Sequence, residues 1–398
     1  MEYGAIDLHL RRSQFRIVRE DGTIVKEGKF DTTRAELTRI FGGRERLCIL
    51  LESSTDSEWV AQQLETFGHD VIVADPNYAP MYGRRVRKVK TDGRDTAALT
   101  DACRLGIFRR AHRVSAAQRA RRQQLRIRRQ LVRMRSGSVS LLRAILRQEG
   151  WRLPSGAAEA IEARLGRLAL PTALTAILEP LRTWLGELNR LIATADEEVA
   201  QTAKREAIAT QLMTAPGVGP VVALTFQAVL DDPARFGGDA GRASALLGLV
   251  PSEDSSADRR HTGHITKTGP TDLRALLVQA SWVIWRGRSA EGAALRRWAH
   301  ALADRRGRRI AVVALARRLS RILFAMWRDH TDFRGGGAVG REAGDRVTPR
   351  CRRREPTTGG VSTVRVVAAR ESRHRDGATP SVRITYCAAR DTADRKRE

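Results

Sequence analysis

The sequence predicts an α/β chain: strands mixed with helices at the N-terminus, a long helical middle with a coiled coil, and a mostly α C-terminal region. Three observations carry this. Short strand-like apolar runs open the chain and then alternate with helical stretches. An arginine-rich segment of helical propensity follows and leads into an aliphatic heptad. Beyond residue 210, apolar helix faces return around a Pro-Gly-Val-Gly-Pro turn.

Residues 3–9, 14–19 and 24–30 read as strands, with Asp21-Gly22 as the tight turn between the last two. Residues 47–51 form a continuous apolar run, as in a buried central strand. A helix over 57–67 ends at Gly68, and 71–74 reads as another strand. Pro76 and Pro80 mark a loop before a helix over 92–105. Residues 1–110 are the first expected domain.

Residues 104–152 hold fifteen arginines, one acid (Glu149) and no lysine. Leu181, Leu185, Leu188, Ile192, Ala195 and Val199 then form an a/d seam. Two long helices would pair there, either antiparallel or between molecules. Pro171 and Pro180 are expected to break the preceding helices. Residues 111–210 are the second expected domain. The third, 211–333, has helices over 273–285 and 309–327 and a polar loop over 252–264. Residues 334–398 lose all periodicity and read as a disordered basic tail.

Composition narrows the function. The 398 residues carry 71 Lys and Arg against 45 Asp and Glu, a formal charge of +26. Such an excess calls for a polyanion, and nucleic acid ranks ahead of an acidic membrane surface. Apolar runs such as 310–316 are too short to span a bilayer, and the N-terminus has no secretory pattern. Cys48, Cys103, Cys351 and Cys387 are scattered, with no zinc or disulfide spacing, which fits a reducing cytoplasm. Aromatic residues are only 5%, which argues against a base-stacking sheet.

Four carboxylates stand out. Asp7 sits mid-strand in an apolar run, and Glu52 ends the 47–51 run. Asp92 and Asp95 are three apart at a helix start, a spacing that shares a face. Taken singly, Asp92 reads as a helix cap and Glu52 as a solvated strand end. Together the four would converge on divalent metal ions. Mg²⁺ favours such hard oxygens, and a metal pair holds both oxygens of a phosphodiester displacement.

Ala5-Ile6-Asp7-Leu8, Glu52-Ser53-Ser54 with Trp59, Val73-Ala74-Asp75-Pro76 and Lys90-Thr91-Asp92-Gly93-Arg94-Asp95 resemble the N-terminal half of IS110-type transposases. The resemblance implies a ribonuclease H-like, RuvC-type fold for residues 1–110, with Asp7, Glu52, Asp92 and Asp95 as its metal-binding DEDD acids. Further on, Pro216-Gly217-Val218-Gly219 resembles the family's helix-hairpin-helix-like turn. Leu247-Gly248-Leu249-Val250-Pro251, Ser255-Ser256, Gly263 to Gly269 and Leu273-Arg274 follow in the family's order, so the resemblance covers about residues 1–330. It implies a serine nucleophile that forms a covalent phosphoserine with DNA. Ser256 fits that role best and Ser255 second. Ala257 replaces the family's glycine and Pro270 its asparagine.

The resemblance further implies a structured guide RNA, the bridge RNA, beside double-stranded DNA, and a dimer or tetramer. The heptad seam points to an oligomer too. Nucleic-acid contacts are expected from Arg121, Arg122, Arg126, Arg128, Arg129 and Arg133, from Gly217 and Gly219, whose lack of a side chain admits a phosphate, and from Lys267 and Arg274. Arg259 and Arg260 join them as phosphate clamps, whereas His261 and His264 form no evident triad. The reading is a cytoplasmic DNA recombinase without a membrane partner. Two alternatives stay open: a RuvC-type nuclease in which water attacks, and a non-catalytic nucleic-acid-binding protein descended from a transposase.

Overall fold

The computed structural model describes residues 1–83, 92–254 and 261–335, apart from the Asp92 side chain. The expected tail lies, but for residues 334 and 335, outside the described residues. Strands β1 (Glu2–Asp7), β2 (Arg12–Arg19) and β3 (Ile24–Asp31) form an antiparallel meander. The Asp21-Gly22 turn closes as expected, with the Gly22 amide donating to the Arg19 carbonyl at 3.0 Å. Helix α1 (Arg34–Phe41) was not anticipated, although its signal is local: the Thr33 hydroxyl caps the Glu36 amide. Strand β4 (Leu47–Glu52), α2 (Ser57–Thr66) and β5 (Asp70–Ala74) follow. Both new strands run parallel to β1, giving the order β3-β2-β1-β4-β5. A 3₁₀ turn (Ala79–Tyr82) and α3 (Asp92–Leu105) complete this part.

The apolar run of β4 is buried because helices cover both faces of the sheet. Leu37, Phe41, Val60 and Leu64 of α1 and α2 pack on Ile6, Phe15, Ile49 and Leu51. On the other face, Leu99, Ala102 and Cys103 of α3 pack on Ala5, Leu50 and Ile72. Cys103 and Cys48, far apart in sequence, lie with their sulfurs 3.7 Å apart across this layer.

The middle is a helical hairpin of α4 (Ala116–Gln148) and α6 (Thr172–Arg205), with the short α5 (Ile161–Leu165) between them. Arg121 pairs with Glu206, Arg128 with Asp196, and Arg135 with Asn189. Rising numbers on α4 thus meet falling numbers on α6, so the pair is antiparallel. Leu185, Leu188, Ile192 and Val199 of the heptad seam are buried within the chain. The seam is therefore spent on an intramolecular partner and no longer argues for an oligomer. Pro171 precedes α6 as expected, but Pro180 lies inside it and does not break it. Leu174, Leu178 and Leu185, buried with Leu142 and Leu146 of α4, flank the missing amide and hold the helix together.

The C-terminal part comprises α7 (Ala207–Leu212), α8 (Pro220–Leu230), α9 (Ala240–Leu246), α10 (Thr271–Arg286), α11 (Ala293–Arg306) and α12 (Arg308–Asp329). Leu224, Phe226, Leu277, Leu315, Leu319 and Phe324 are fully buried at its centre. The expected polar loop over 252–264 is instead bordered by two strands, β6 (Pro251–Glu253) and β7 (Thr262–Ile265), paired antiparallel. Their side chains are almost all exposed, so no apolar alternation announces them.

Candidate active site and nucleic-acid surface

Asp7 is the last residue of β1, not a mid-strand residue, which relieves the cost of burying its charge. Glu52 ends β4, one step beyond the Ile6–Leu51 register pair. The two carboxylates thus stand at adjacent ends of parallel strands. By strand alternation, Asp7 shares a face with Ala5 and Glu52 with Leu50, and that face is the one α3 covers. Helix α3 runs antiparallel to β1. Its first turn meets β2, where a Cβ on Gly93 would stand 3.3 Å from Gln14 Nε2. Its last turn meets β4, where the Cys103 thiol donates to the Cys48 carbonyl. Gln14 is the register partner of Asp7, so the start of α3 comes to the strand ends that bear the acids. Asp95 is buried there at 5% exposure. Asp92 opens α3, and its side chain lies outside the described residues. Among the described residues, no three His, Cys, Asp or Glu side chains are grouped closely enough to hold a metal ion.

Three neighbours of these acids were not anticipated. The Tyr82 hydroxyl donates to Glu52 Oε1 from the 3₁₀ turn. His9 Nε2 lies 3.5 Å from Asp7 Oδ2. Gln14 Oε1 is buried without a hydrogen-bond partner among the described residues. Tyr82 and Gln14 come from other elements, whereas His9 follows Asp7 by only two residues. The Asn77 amide and Arg109 hold the Asp75 carboxyl below its ordinary range, tying the end of β5 to the strap that leads into α4.

Ser255 and Ser256, together with Arg259 and Arg260, fall outside the described residues. Their mount is defined on both sides. The Asp254 amide donates to the His261 carbonyl at 2.9 Å, closing the β6–β7 ribbon just below them. The ribbon's root is clamped by glycines. A Cβ on Gly248 (φ +62°) would stand 2.4 Å from the Thr268 carbonyl, and one on Gly269 (φ +69°) 1.9 Å from the Leu246 carbonyl. The Arg274 guanidinium donates to the Leu247 carbonyl at 2.9 Å and to the Thr268 carbonyl at 2.8 Å. Arg274 therefore fastens the ribbon to α10. Lys267 is exposed beside it, with φ +56°. In the Pro216–Pro220 turn, Gly217 is required by packing, since its Cβ would stand 2.6 Å from the Ala280 carbonyl. At Gly219 the corresponding position has no atom within 4 Å, so that glycine alone leaves its backbone accessible.

The arginine segment divides into two sets. Arg121 pairs with Glu206, Arg128 with Asp196 and Arg129 with Asp272. Arg122 Nε donates to the Ala228 carbonyl and Nη2 to the Val229 carbonyl. Burial pushes the Arg122 and Arg235 guanidinium pKa values below their ordinary range. Arg113 moves the other way, held by Glu65 and Glu58 of α2. Arg126 and Arg133 are exposed, as are Arg143 and Arg147. Of the six arginines expected to contact nucleic acid, four already have partners within the chain, and two stand on its surface. Asp231 anchors the start of α4. Burial raises its pKa, but hydrogen bonds from Ser115 and His112 outweigh this and leave it lowered.

The sequence matches two families of known proteins. Residues 5–150 match the IS110-type DEDD transposase family, and residues 209–296 match the transposase IS116/IS110/IS902 family. The chain carries both domains of the IS110/IS116 transposase family. The β1, β4 and α3 acids lie within the first match, and the Gly217 turn, ribbon and α10 within the second. A probable family 20 transposase of Pseudomonas aeruginosa is 28% identical over 76% of this chain and 90% of its own length. The transposase for insertion sequence element IS1111A of Coxiella burnetii is 26% identical over 73% of this chain and 80% of its own length. That for IS1328 of Yersinia enterocolitica is 26% identical over 76% and 90%. As an IS110/IS116-family transposase the chain is an enzyme of DNA transposition and recombination. No described helix is long and apolar enough to cross a membrane.

Proposed function

We propose that this transposase cuts and rejoins DNA through a serine, and that four acids on a ribonuclease H-like sheet hold a divalent ion, Mg²⁺, beside the scissile phosphate. The observation that carries the reading is the alignment of Asp7 and Glu52 on neighbouring strand ends, with Asp95 brought over them by α3. The sheet order β3-β2-β1-β4-β5 supports the RuvC-type assignment. The donor set fits the ion in chemistry: carboxylates are hard oxygen ligands, and Gln14, the register partner of Asp7, adds a neutral oxygen acceptor with no hydrogen-bond partner among the described residues.

Ser256, or Ser255 in its place, attacks the phosphorus. A serine–phosphate ester forms and the bond to the leaving deoxyribose oxygen breaks. The serine proton ends on the released hydroxyl. A bound Mg²⁺ supplies Lewis-acid stabilisation of the charge developing on the phosphoryl oxygens. Asp7, Glu52, Asp92 and Asp95 would hold it, and the Tyr82 hydroxyl keeps the Glu52 carboxylate in one orientation. Exposed Arg126, Arg133 and Lys267 neutralise backbone phosphates of DNA and of a guide RNA. Arg274 acts one step back, by holding the ribbon. Assembly into a dimer or tetramer rests on the family resemblance alone, since the heptad seam is filled by α4.

The test is a denaturation-resistant protein–DNA adduct formed with Mg²⁺ and the copurified RNA. Ser256→Ala should abolish it, or Ser255→Ala if that serine attacks, and Asp7→Ala should abolish it without loss of RNA binding. If both serine variants still cleave DNA, water is the nucleophile. If wild-type protein never cleaves, the chain is a binding protein only.

A further inference from the structure

We propose that a trough on the C-terminal helices holds an unpaired stretch of a nucleic-acid strand, with Trp282 as its stacking platform. This goes beyond the serine and the acids and rests only on the chain's membership of a DNA-handling family. Two open cavities meet along the end of α10. One, of about 540 Å³, is lined by Gln279, Trp282, Val283, Arg286 and Gly287. The other, of about 580 Å³, runs from the Pro216–Gly219 turn to Arg288 and shares Val283 and Gly287 with the first.

Trp282 is only half-buried, and its ring is held in place. Trp285 meets it edge-on at 6.2 Å, and His300 stacks on Trp285 at 4.0 Å. The guanidinium carbons of Arg286 and Arg308 lie 5.1 and 5.7 Å from the Trp282 ring centre. Val283 and Ile310 are 59% and 56% exposed, large apolar side chains left at the surface. Between Trp282 and Ile310, eight arginines stand against two acids, Glu291 and Asp304. A basic protein partner would be repelled by that balance, and a neutral one would leave the arginines without counter-charges. A single strand satisfies both halves of the trough, because its bases offer flat apolar faces and its phosphates meet the arginines. At the far end the open Gly219 leaves room for the backbone to approach. A low total of aromatic residues argues against a stacking sheet, but it does not prevent several of them from gathering on one helical face.

The test uses the full chain, a dT oligonucleotide and a blunt duplex of equal length. The oligonucleotide should quench tryptophan fluorescence, and Trp282→Phe should remove most of that quench while binding stays near wild type. Trp282→Ala should weaken oligonucleotide binding about tenfold and duplex binding much less. The Arg286→Ala/Arg308→Ala double variant should bind with a shallower salt dependence. Asp7→Ala protein should bind the oligonucleotide normally, which separates this surface from the catalytic reading. Wild-type affinity in Trp282→Ala overturns the proposal. So does equal weakening for duplex and single strand, or a quench that survives in Trp282→Phe. A change of oligomeric state in Trp282→Ala with oligonucleotide binding intact would also overturn it and mark a protein interface instead. If Trp282→Ala does not fold, the Phe variant and the arginine pair decide.

Discussion

The acids and the serine loop are mounted in opposite ways. Asp7 and Glu52 end strands of a sheet buried on both faces, and the helix bearing Asp95 packs flat against it. The serines lie beyond a two-strand ribbon with almost no buried side chain. That ribbon keeps its place through backbone contacts at Gly248 and Gly269 and through one arginine. The first site is set by a hydrophobic core and the second by a few close approaches of main chain. Precision in the first is therefore robust to single side-chain changes, whereas in the second it is concentrated at three residues.

The largest effect should follow from breaking the ribbon's root. Gly269→Ala places a Cβ on the Leu246 carbonyl and should cost about 3 kcal/mol or more in urea unfolding. A cost below about 1 kcal/mol would show that the root is loose. Next come the acids. Asp7→Asn and Glu52→Gln should lower Mg²⁺-dependent strand cleavage at least ~100-fold while leaving the unfolding midpoint nearly unchanged. If stability falls in step with activity, these acids hold the sheet rather than an ion. Arg274→Ala should destabilise by about 2 kcal/mol, because two carbonyls lose a charged donor. Binding of a duplex that shifts more than stability would return Arg274 to the phosphate surface. Tyr82→Phe should cost about tenfold in cleavage with no change in melting, since it removes only the hydrogen bond to Glu52. The smallest effects separate the two sets of arginines. Arg128→Ala should lose at most ~1 kcal/mol of stability, its pair with Asp196 being partly exposed. Arg126→Ala should leave stability alone and reduce the salt slope of nucleic-acid binding by about one.

The same contrast explains what the residues disclosed in advance. The strands of the sheet and helices α2 and α3 follow from local periodicity and from Gly68, whose φ of +88° ends α2 as expected. Helix α1 announces itself only by its cap, the Thr33 hydroxyl on the Glu36 amide. Asp7, Glu52 and Asp95 stand out in the sequence by position, but what brings the start of α3 to the ends of β1 and β4 is the antiparallel course of that helix, which no short window encodes. Tyr82 reaches Glu52 across 30 residues, and Arg128 reaches Asp196 across 68. Counting arginines without their distant acids overstated the charge free on α4. The ribbon went unseen because strands with exposed side chains on both faces carry no alternation to read.

The paired helices have a mechanical consequence. Helix α4 has 33 residues and so spans ~50 Å. At one end Arg122 and Ser115 tie it to α8 and the residue that follows it. At the other it closes a separate small core with α5 and α6 around Leu142, Leu146 and Ile161. Such a rod is a lever with its fulcrum at α8. A tilt of about 5° at the fulcrum swings the tip by ~4 Å, more than the ~3.4 Å rise of one base pair. Repacking a single turn of α8 would thus be magnified along α4 into a far larger displacement of the tip.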